Sequence, residues 1–373
     1  MYLRKIKKIA SVALASTILC SAASCMKLEM RESGVDSDNK ATQESEATPL
    51  MLSQATKKNE IETAPLETEA VKAEETKETV TLSVSGRVVM DNDIISDAAN
   101  RATDGKSYSF LRMYTGIYRN VSSADIAFCS YSTAEEVQSP IESIGALYDL
   151  GYDVVNTNDS STADYLSEYS LTEVREHSEC VVLENNGLNI AVLYLDGADC
   201  ADKNYASDIE YADFVSDLVM VFVDWDDTAD VDKQTVMYDI ASVGADIIIG
   251  NGSKLGRIDW IDTGDGSLTL GVESLGNILS SGNEIDELCG GVLNLSISYG
   301  NGSIEISDVS LTPTVTYYAS ENAEENSAYQ IFTCDGYADE LSSNHAVVGV
   351  TADNIKECIG KVIDGKFLPD YLR

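Results

Sequence analysis

The chain has 373 residues, of which 63 are Asp or Glu and 25 are Lys or Arg, for a formal net charge of −38. That acid excess excludes nucleic-acid binding, which needs clustered Lys and Arg; no basic stripe exists outside the first eight residues. Only two histidines occur, His177 and His345, so multi-histidine metal sites and His-rich acid–base machinery are nearly excluded, while a hydrophobic fraction of 44% is enough for a real core.

Arg4, Lys5, Lys7 and Lys8 precede an apolar run from Ile9 to Leu19, and the small residues Ser21, Ala22, Ala23 and Ser24 lead to Cys25. A basic start, a short apolar stretch and a small-residue cleavage zone describe an export signal over residues 1–25. The run is too short to span a bilayer well. Cys25 is the expected lipidation site, as in bacterial lipoproteins, although Ala22 stands where such sites usually carry Leu; ordinary cleavage near Ala23 is the alternative. Either processing route places the bulk of the chain on the extracellular face of the bacterial cell membrane, lipid-anchored or secreted. Residues 26–78 are rich in Glu, Thr, Ala, Ser and Lys without sustained apolar period, a disordered acidic tether. Its r.m.s. reach is roughly 40 Å. Of eight cysteines, Cys20 and Cys25 belong to the signal; the other six show neither CxxC spacing nor Cys/His pairing, which argues against zinc.

Order is expected from about Thr79. Val80, Leu82 and Val84 alternate with Thr81, Ser83 and Ser85, a strand that Gly86 should break. Ala124–Cys129 forms the next strand. Ile141, Ile144, Leu147 and Tyr148 recur at helical spacing up to Gly151. Strands follow at Asp153–Val155, Leu188–Leu195, Leu218–Val223 and Ile247–Ile249, with a helix over Gln234–Val243 stopped by Gly244. From Leu268 strands dominate: Leu268–Val272, Val292–Ser298 and Ser303–Val309. Strands alternating with helices and then giving way to further strands predict a layered α/β domain over residues 79–318. The character changes after Pro313, and residues 319–373 form a C-terminal extension with apolar clusters able to pack as a small addition.

Several segments in order carry a family resemblance: Ala124-Asp125-Ile126-Ala127-Phe128-Cys129-Ser130-Tyr131-Ser132-Thr133, then Gly151-Tyr152-Asp153-Val154-Val155-Asn156, then Val223-Asp224-Trp225-Asp226, then Gly244-Ala245-Asp246-Ile247-Ile248-Ile249-Gly250-Asn251, then Ser274-Leu275-Gly276-Asn277-Ile278. Together they resemble the CapA family of poly-γ-glutamate capsule proteins, whose fold is similar to the calcineurin-like metallophosphatases. The resemblance implies an αββα sandwich of the metallo-dependent phosphatase type. It also implies two divalent metals, yet each ligand position has changed. Arg87 stands for the first Asp, Ser130 and Ser132 for Asn and Glu, and Asp159, Ser160 and Ser161 for the Asn-Asn-His run. Asp224 stands for a later His, and Asn251, Gly252 and Lys254 for the last histidines. Serine and glycine cannot build a two-metal cage, and an Arg within it repels a divalent cation. The sequence therefore describes a degenerate member with no catalytic residues, no metal ligands and no cofactor.

If the loops keep their family positions, Arg87, Asp159, Asp224 and Lys254 point into the old metal pocket. They form either a charge network replacing the metals or, through Arg87 and Lys254, an anion site for a carboxylate or phosphate. Trp225 either lines the groove or packs beneath the loop. A rival reading assigns calcium to the oxygen donors Asp159, Asp224, Asp226, Asp227, Asn156, Asn158 and Asn251. The expected function is non-catalytic: handling or anchoring an anionic envelope polymer, or binding a surface protein. A divergent phosphoesterase and a plain extracellular scaffold are the alternatives. A domain this acidic repels a polyanion at long range unless its cleft is locally positive.

Overall fold

The computed structural model describes residues 4–5, 77–157, 159–175, 180–225, 232–264, 266–300, 302–320 and 329–373. The export signal, Cys25 and the tether, apart from Arg4, Lys5, Lys77 and Glu78, lie outside the described residues, as do His177, Asn158, Asp226 and Asp227.

Strands β1 (Glu78–Met90), β2 (Ile126–Thr133), β3 (Val154–Asn156) and β4 (Thr172–Val174) run parallel in that order. On the other side of β1 lie β12 (Cys289–Gly300) and β13 (Ser303–Tyr317), both antiparallel to their neighbours. A short parallel strand β11 (Asn277–Leu279) also pairs with β1, and β14 (Gln330–Thr333) pairs with β13. Arg4–Lys5 pairs with β13 at Ser303 and Ile304. The second sheet has the order β9 (Ile258–Asp262), β10 (Leu268–Val272), β8 (Ile247–Asn251), β7 (Leu218–Asp224), β6 (Leu188–Leu195), β5 (Val181–Asn185). Its β10, β8, β7 and β6 are parallel, and the two edges are closed by antiparallel hairpins.

Alternation along these strands sorts the core into layers. Val80, Leu82, Val84, Phe128 and Val154 from the first sheet meet Ile190, Val192, Met220, Phe222, Ile247 and Ile249 from the second in one cluster. Their neighbours point the other way: Ala127, Cys129 and Val155 pack beneath helices α1 (Asn92–Asn100) and α2 (Ile141–Leu150). Ala191, Leu193, Val219, Val221 and Ile248 pack beneath α3 (Ala206–Val215) and α4 (Lys233–Val243). Both outer faces are thus covered, as parallel strands with continuous apolar runs require. The result is an αββα sandwich. Two of the helices end where expected: Gly151 (φ 102°) and Gly244 (φ 132°) take conformations open to glycine. Tyr148, counted with the apolar face of α2, is instead exposed.

Several strand boundaries differ from the sequence reading, three of them by enough to matter for the site or the C-terminal segment. β1 does not stop at Gly86 but runs on to Met90, because a bulge between Val84 and Arg87 absorbs one extra residue and pairing with β2 resumes. A Cβ on Gly86 would lie 2.4 Å from the carbonyl oxygen of Gly276 and 2.7 Å from that of Leu275, so only glycine lets the chain pass there. β2 continues to Thr133. Pro313 lies inside β13 opposite Gly291 rather than marking an end, and its carbonyl accepts from Cys334 N–H at 3.1 Å.

The segment 329–373 packs onto the same body. Tyr337, Val350, Ile355, Ile359, Ile363, Phe367 and Leu368 join the central cluster, two of them (Ile355 and Ile359) from α5 (Ala352–Gly360). No helix among the described residues is long and apolar enough to cross a membrane.

Candidate functional site

The inner-face columns of both sheets change character at the carboxyl ends of their parallel strands. Val80-Leu82-Val84 ends in Arg87, Phe128 gives way to Ser130 and Ser132, and Val154 to Asn156. Across from them, Ile190-Val192 ends in Tyr194, Met220-Phe222 in Asp224, and Ile247-Ile249 in Asn251. The outer-face clusters hold Val88 and Met90, so the bulge is what returns Arg87 to the inner face. Backbone register sets Asn277, Arg87, Ser130 and Asn156 side by side across four strands, and Asp224 beside Asn251 in the opposite sheet.

These ends enclose a cavity of about 300 Å³ lined by Arg87, Ser130, Ser132, Asn156, Asp159 and Asp224, with Tyr131, Thr133, Thr157, Ser160, Tyr194 and Asn251 completing it. It occupies the place where ligands bind in open α/β sheets, outside the carboxyl ends of the strands. Ser130 Oγ donates to Asn251 Oδ1 at 2.6 Å, a bond joining the two sheets. Asp159 is tied into its own loop: it accepts from Thr133 Oγ1 at 2.8 Å and from Ser161 N–H and Oγ at 2.9 and 2.6 Å. Asp224 Oδ2 accepts from Tyr194 OH at 2.9 Å. Arg87 Nε donates to Asn277 Oδ1 over a long 3.4 Å, and Arg87 makes no ion pair among the described residues. Asn156 Nδ2 is buried without a hydrogen-bond partner among the described residues. Burial pushes the Tyr131 phenol up to about 12, against the lowering effect of its bonds to Ser139 and Ser143.

Six of the nine expected cleft residues therefore meet: Arg87, Ser130, Ser132, Asp159, Asp224 and Asn251. Three do not line it. Lys254 sits elsewhere, exposed and paired with Glu284 at 3.1 Å and Asp286 at 2.8 Å, whose carboxylates hold its ammonium above the ordinary lysine range. The cause is the path of the chain after Asn251. Leu255 bridges to Leu275 and Gly256 N–H donates to Ser274 O at 2.9 Å, which carries Lys254 to a separate pocket bounded by α5. Hence the network of Arg87, Asp159, Asp224 and Lys254 is not formed, and among the described lining residues the positive charge comes from Arg87. Trp225 is 4% exposed and packs in the outer cluster, its Nε1 donating to Glu273 O at 2.7 Å. Ser161 is exposed and serves as donor to Asp159. Tyr194, which the sequence reading did not count among the cleft residues, was findable, because it continues the inner-face series Ile190 and Val192; Thr157 follows Asn156 in the opposite phase, and alternation gives no signal for it.

The described lining carries two carboxylates, both accepting hydrogen bonds from nearby hydroxyls, one guanidinium and no imidazole. That donor set does not fit the two-metal cage of the resemblance, since a guanidinium lies among the groups that would hold the ions. For calcium the same objection holds, although Asn156, Asn251, Asp159 and Asp224 do converge. His345, the one described histidine, is 6% exposed among Tyr317, Tyr318 and Tyr337, remote in sequence and in neighbours from the cavity lining.

The layering and the place of the cleft define an αββα sandwich with a cleft outside the carboxyl ends of its parallel strands. No family model and no curated protein sequence matches the chain. Among solved structures it is similar to a phosphatase from Mycoplasma pneumoniae at 10% identity, covering 64% of this chain and 95% of that one with a TM-score of 0.42. A hypothetical protein from Thermus thermophilus follows at 15% identity, 62% and 98% coverage and TM-score 0.40. Vps29 from Chaetomium thermophilum shares 14% identity over 68% of this chain and 98% of that one, with a TM-score of 0.25. Likeness at this level says nothing about ligand or activity.

Proposed function

We propose that the chain is a non-catalytic, surface-anchored protein of the CapA type, which handles or anchors an envelope polymer or a surface protein through a cleft that binds rather than hydrolyses. The observation that carries this reading is the guanidinium of Arg87 at the strand ends, in the row formed with Asn277, Ser130 and Asn156. A two-metal phosphoesterase needs imidazole and carboxylate ligands that generate a nucleophile and neutralise developing charge. Here Ser130 is hydrogen-bonded to an amide oxygen, which is no base, so the cleft offers hydrogen-bond donors without an activated attacking group. A lipid on Cys25 and the tether over residues 26–78 would hold the sandwich near the membrane while leaving it roughly 40 Å of reach.

Metal analysis of the purified chain, combined with a screen of phosphate mono- and diesters, tests the reading. No stoichiometric Mn, Fe or Zn and no turnover are expected. Stoichiometric metal with turnover abolished by Asp224→Ala overturns it. The anchor is tested separately: labelled fatty acid is expected on the wild-type chain in cells and not on Cys25→Ser, and equal labelling of both refutes lipidation there.

A further inference from the structure

All six cysteines among the described residues are free thiols, and two of them meet. Cys289 opens β12 directly after the short helix Ile285–Leu288 and is fully buried in the central cluster. Cys358 lies on α5, three residues after Ile355 and next to Ile359, the two side chains that seat this helix on the same cluster. A spacing of three along a helix keeps residues on one face, so Cys358 sits at the margin of the buried stripe and is half-buried. There its thiol is hydrogen-bonded to that of Cys289. Residues so far apart in sequence share this contact only because the C-terminal segment docks on the sandwich.

Both cysteines border a pocket of about 750 Å³ that shares no lining residue with the strand-end cleft among the described residues. Leu255, Ile285, Val347 and Val362 supply apolar lining. Lys254 and Lys361 also line it, the first paired with Glu284 and Asp286 and the second with Glu357 at 2.8 Å. The net charge of −38 opposes the approach of an anionic reagent and leaves an uncharged one unaffected. The hydrogen bond from Cys289 draws the Cys358 thiol below the ordinary cysteine range, with smaller help from Lys361 and Lys254 and against burial and Asp286. The same bond and burial hold Cys289 well above that range. The pair is therefore asymmetric. One thiol is partly open to solvent and ionises readily, while the other lies beneath it, protonated and out of reach. Attacking and resolving thiols differ in these two respects.

We propose that Cys358 and Cys289 form a redox-modification site whose substrate is an uncharged low-molecular-weight disulfide. The Cys358 thiolate attacks one sulfur of that disulfide, forming a mixed disulfide and releasing the first small thiolate. Cys289 then attacks the Cys358 sulfur, its proton passes to the departing second thiolate, and a Cys289–Cys358 bond is left. Two cysteine sulfurs are oxidised and one small disulfide is reduced to two thiols; excess small thiol runs the sequence backwards. The bond fastens α5 covalently to β12. The site is independent of the strand-end cleft and of what that cleft binds.

The test treats the reduced, desalted full-length chain with bis(2-hydroxyethyl) disulfide at neutral pH and follows each cysteine by peptide mass mapping. Wild type is expected to pass through a mixed disulfide on Cys358 to a cross-linked Cys289–Cys358 peptide that dithiothreitol separates. Cys289→Ala is expected to stop at the mixed disulfide on Cys358. Cys358→Ala is expected to lower oxidation at Cys289 about tenfold or more, because the buried thiol loses the neighbour that meets the reagent. Melting curves establish that the variants fold, and the wild-type time course alone decides the matter if they do not. A mixed disulfide on Cys358 that wild type never resolves overturns the proposal. So does a bond from Cys289 to Cys334, a third thiol packed against the central cluster. First attack at Cys289, or a wild-type chain in which both thiols stay free, overturns it equally.

Discussion

Cys358 and Cys289 show how a single contact sets reactivity. Cys289 begins β12 in the central core and Cys358 lies on α5, and the two thiols are hydrogen-bonded. That bond, helped by Lys361 and Lys254, draws Cys358 down to about 7, against the opposing effect of burial. Burial pushes Cys129, Cys200 and Cys334 up. Thiolate is the reactive form, so iodoacetamide at neutral pH is expected to modify Cys358 before those three, as read by peptide mass mapping. Cys289→Ala should slow that labelling. His345 supplies a second residue-scale test. Its Nδ1 accepts from Val347 N–H at 2.9 Å, which leaves the proton on Nε2 facing Thr316 O at 3.2 Å. Burial lowers its pKa. The unfolded chain therefore takes up the proton near pH 6.5 while the folded one still resists it. This histidine imposes no penalty above about pH 6.5, and stability falls as the pH drops below that value. Urea unfolding at about pH 7 and pH 5.5 should show wild type losing stability that His345→Gln does not lose; parallel losses would refute the assignment.

Among the elements, β1 decides the site. Strict alternation would put residue 86 on the inner face and Arg87 outside, and the bulge reverses this. Gly86→Ala forces a methyl into the carbonyls of Gly276 and Leu275, and a cost of about 1–3 kcal/mol is expected in urea denaturation. A substitution without effect would show that the close approach does not require glycine there. The strands themselves were legible. Leu188–Leu195 and Leu268–Val272 are found with the boundaries that their apolar patterns predict. The bulge was not, because its cause is a close approach by Leu275 and Gly276, remote in sequence. Trp225 is a similar case. Following Asp224, it continues the outward-facing series Val219, Val221 and Val223, and its indole packs so closely that a Cβ on Gly250 would lie 2.1 Å from Nε1.

For the molecule as a whole, the C-terminal segment 329–373 matters more than its composition indicates. It supplies β14 to the first sheet and seven buried side chains, from Tyr337 to Leu368, to the central core. A chain truncated after residue 328 is expected to lose its cooperative melting transition and become protease-sensitive; an unchanged melt would mean that the segment is dispensable. Net charge acts at the same scale. With −38 spread over the chain, self-repulsion opposes compaction, so added salt is expected to raise the melting temperature, most steeply at low ionic strength.

Composition and periodicity alone determined the α/β layering and the strands and helices with long apolar repeats. The ordered motifs of the family resemblance added six residues that meet at the strand ends. Periodicity could do its part because burial on one face imprints a period on each strand, whatever its neighbours. Only the folded chain decided that Lys254 leaves the cleft for Glu284 and Asp286, and that Asn156 Nδ2 is buried without a hydrogen-bond partner among the described residues. Those facts depend on register, on loop direction and on which sheet faces which. Such relations arise between segments far apart in the chain, and no local pattern within either segment encodes them.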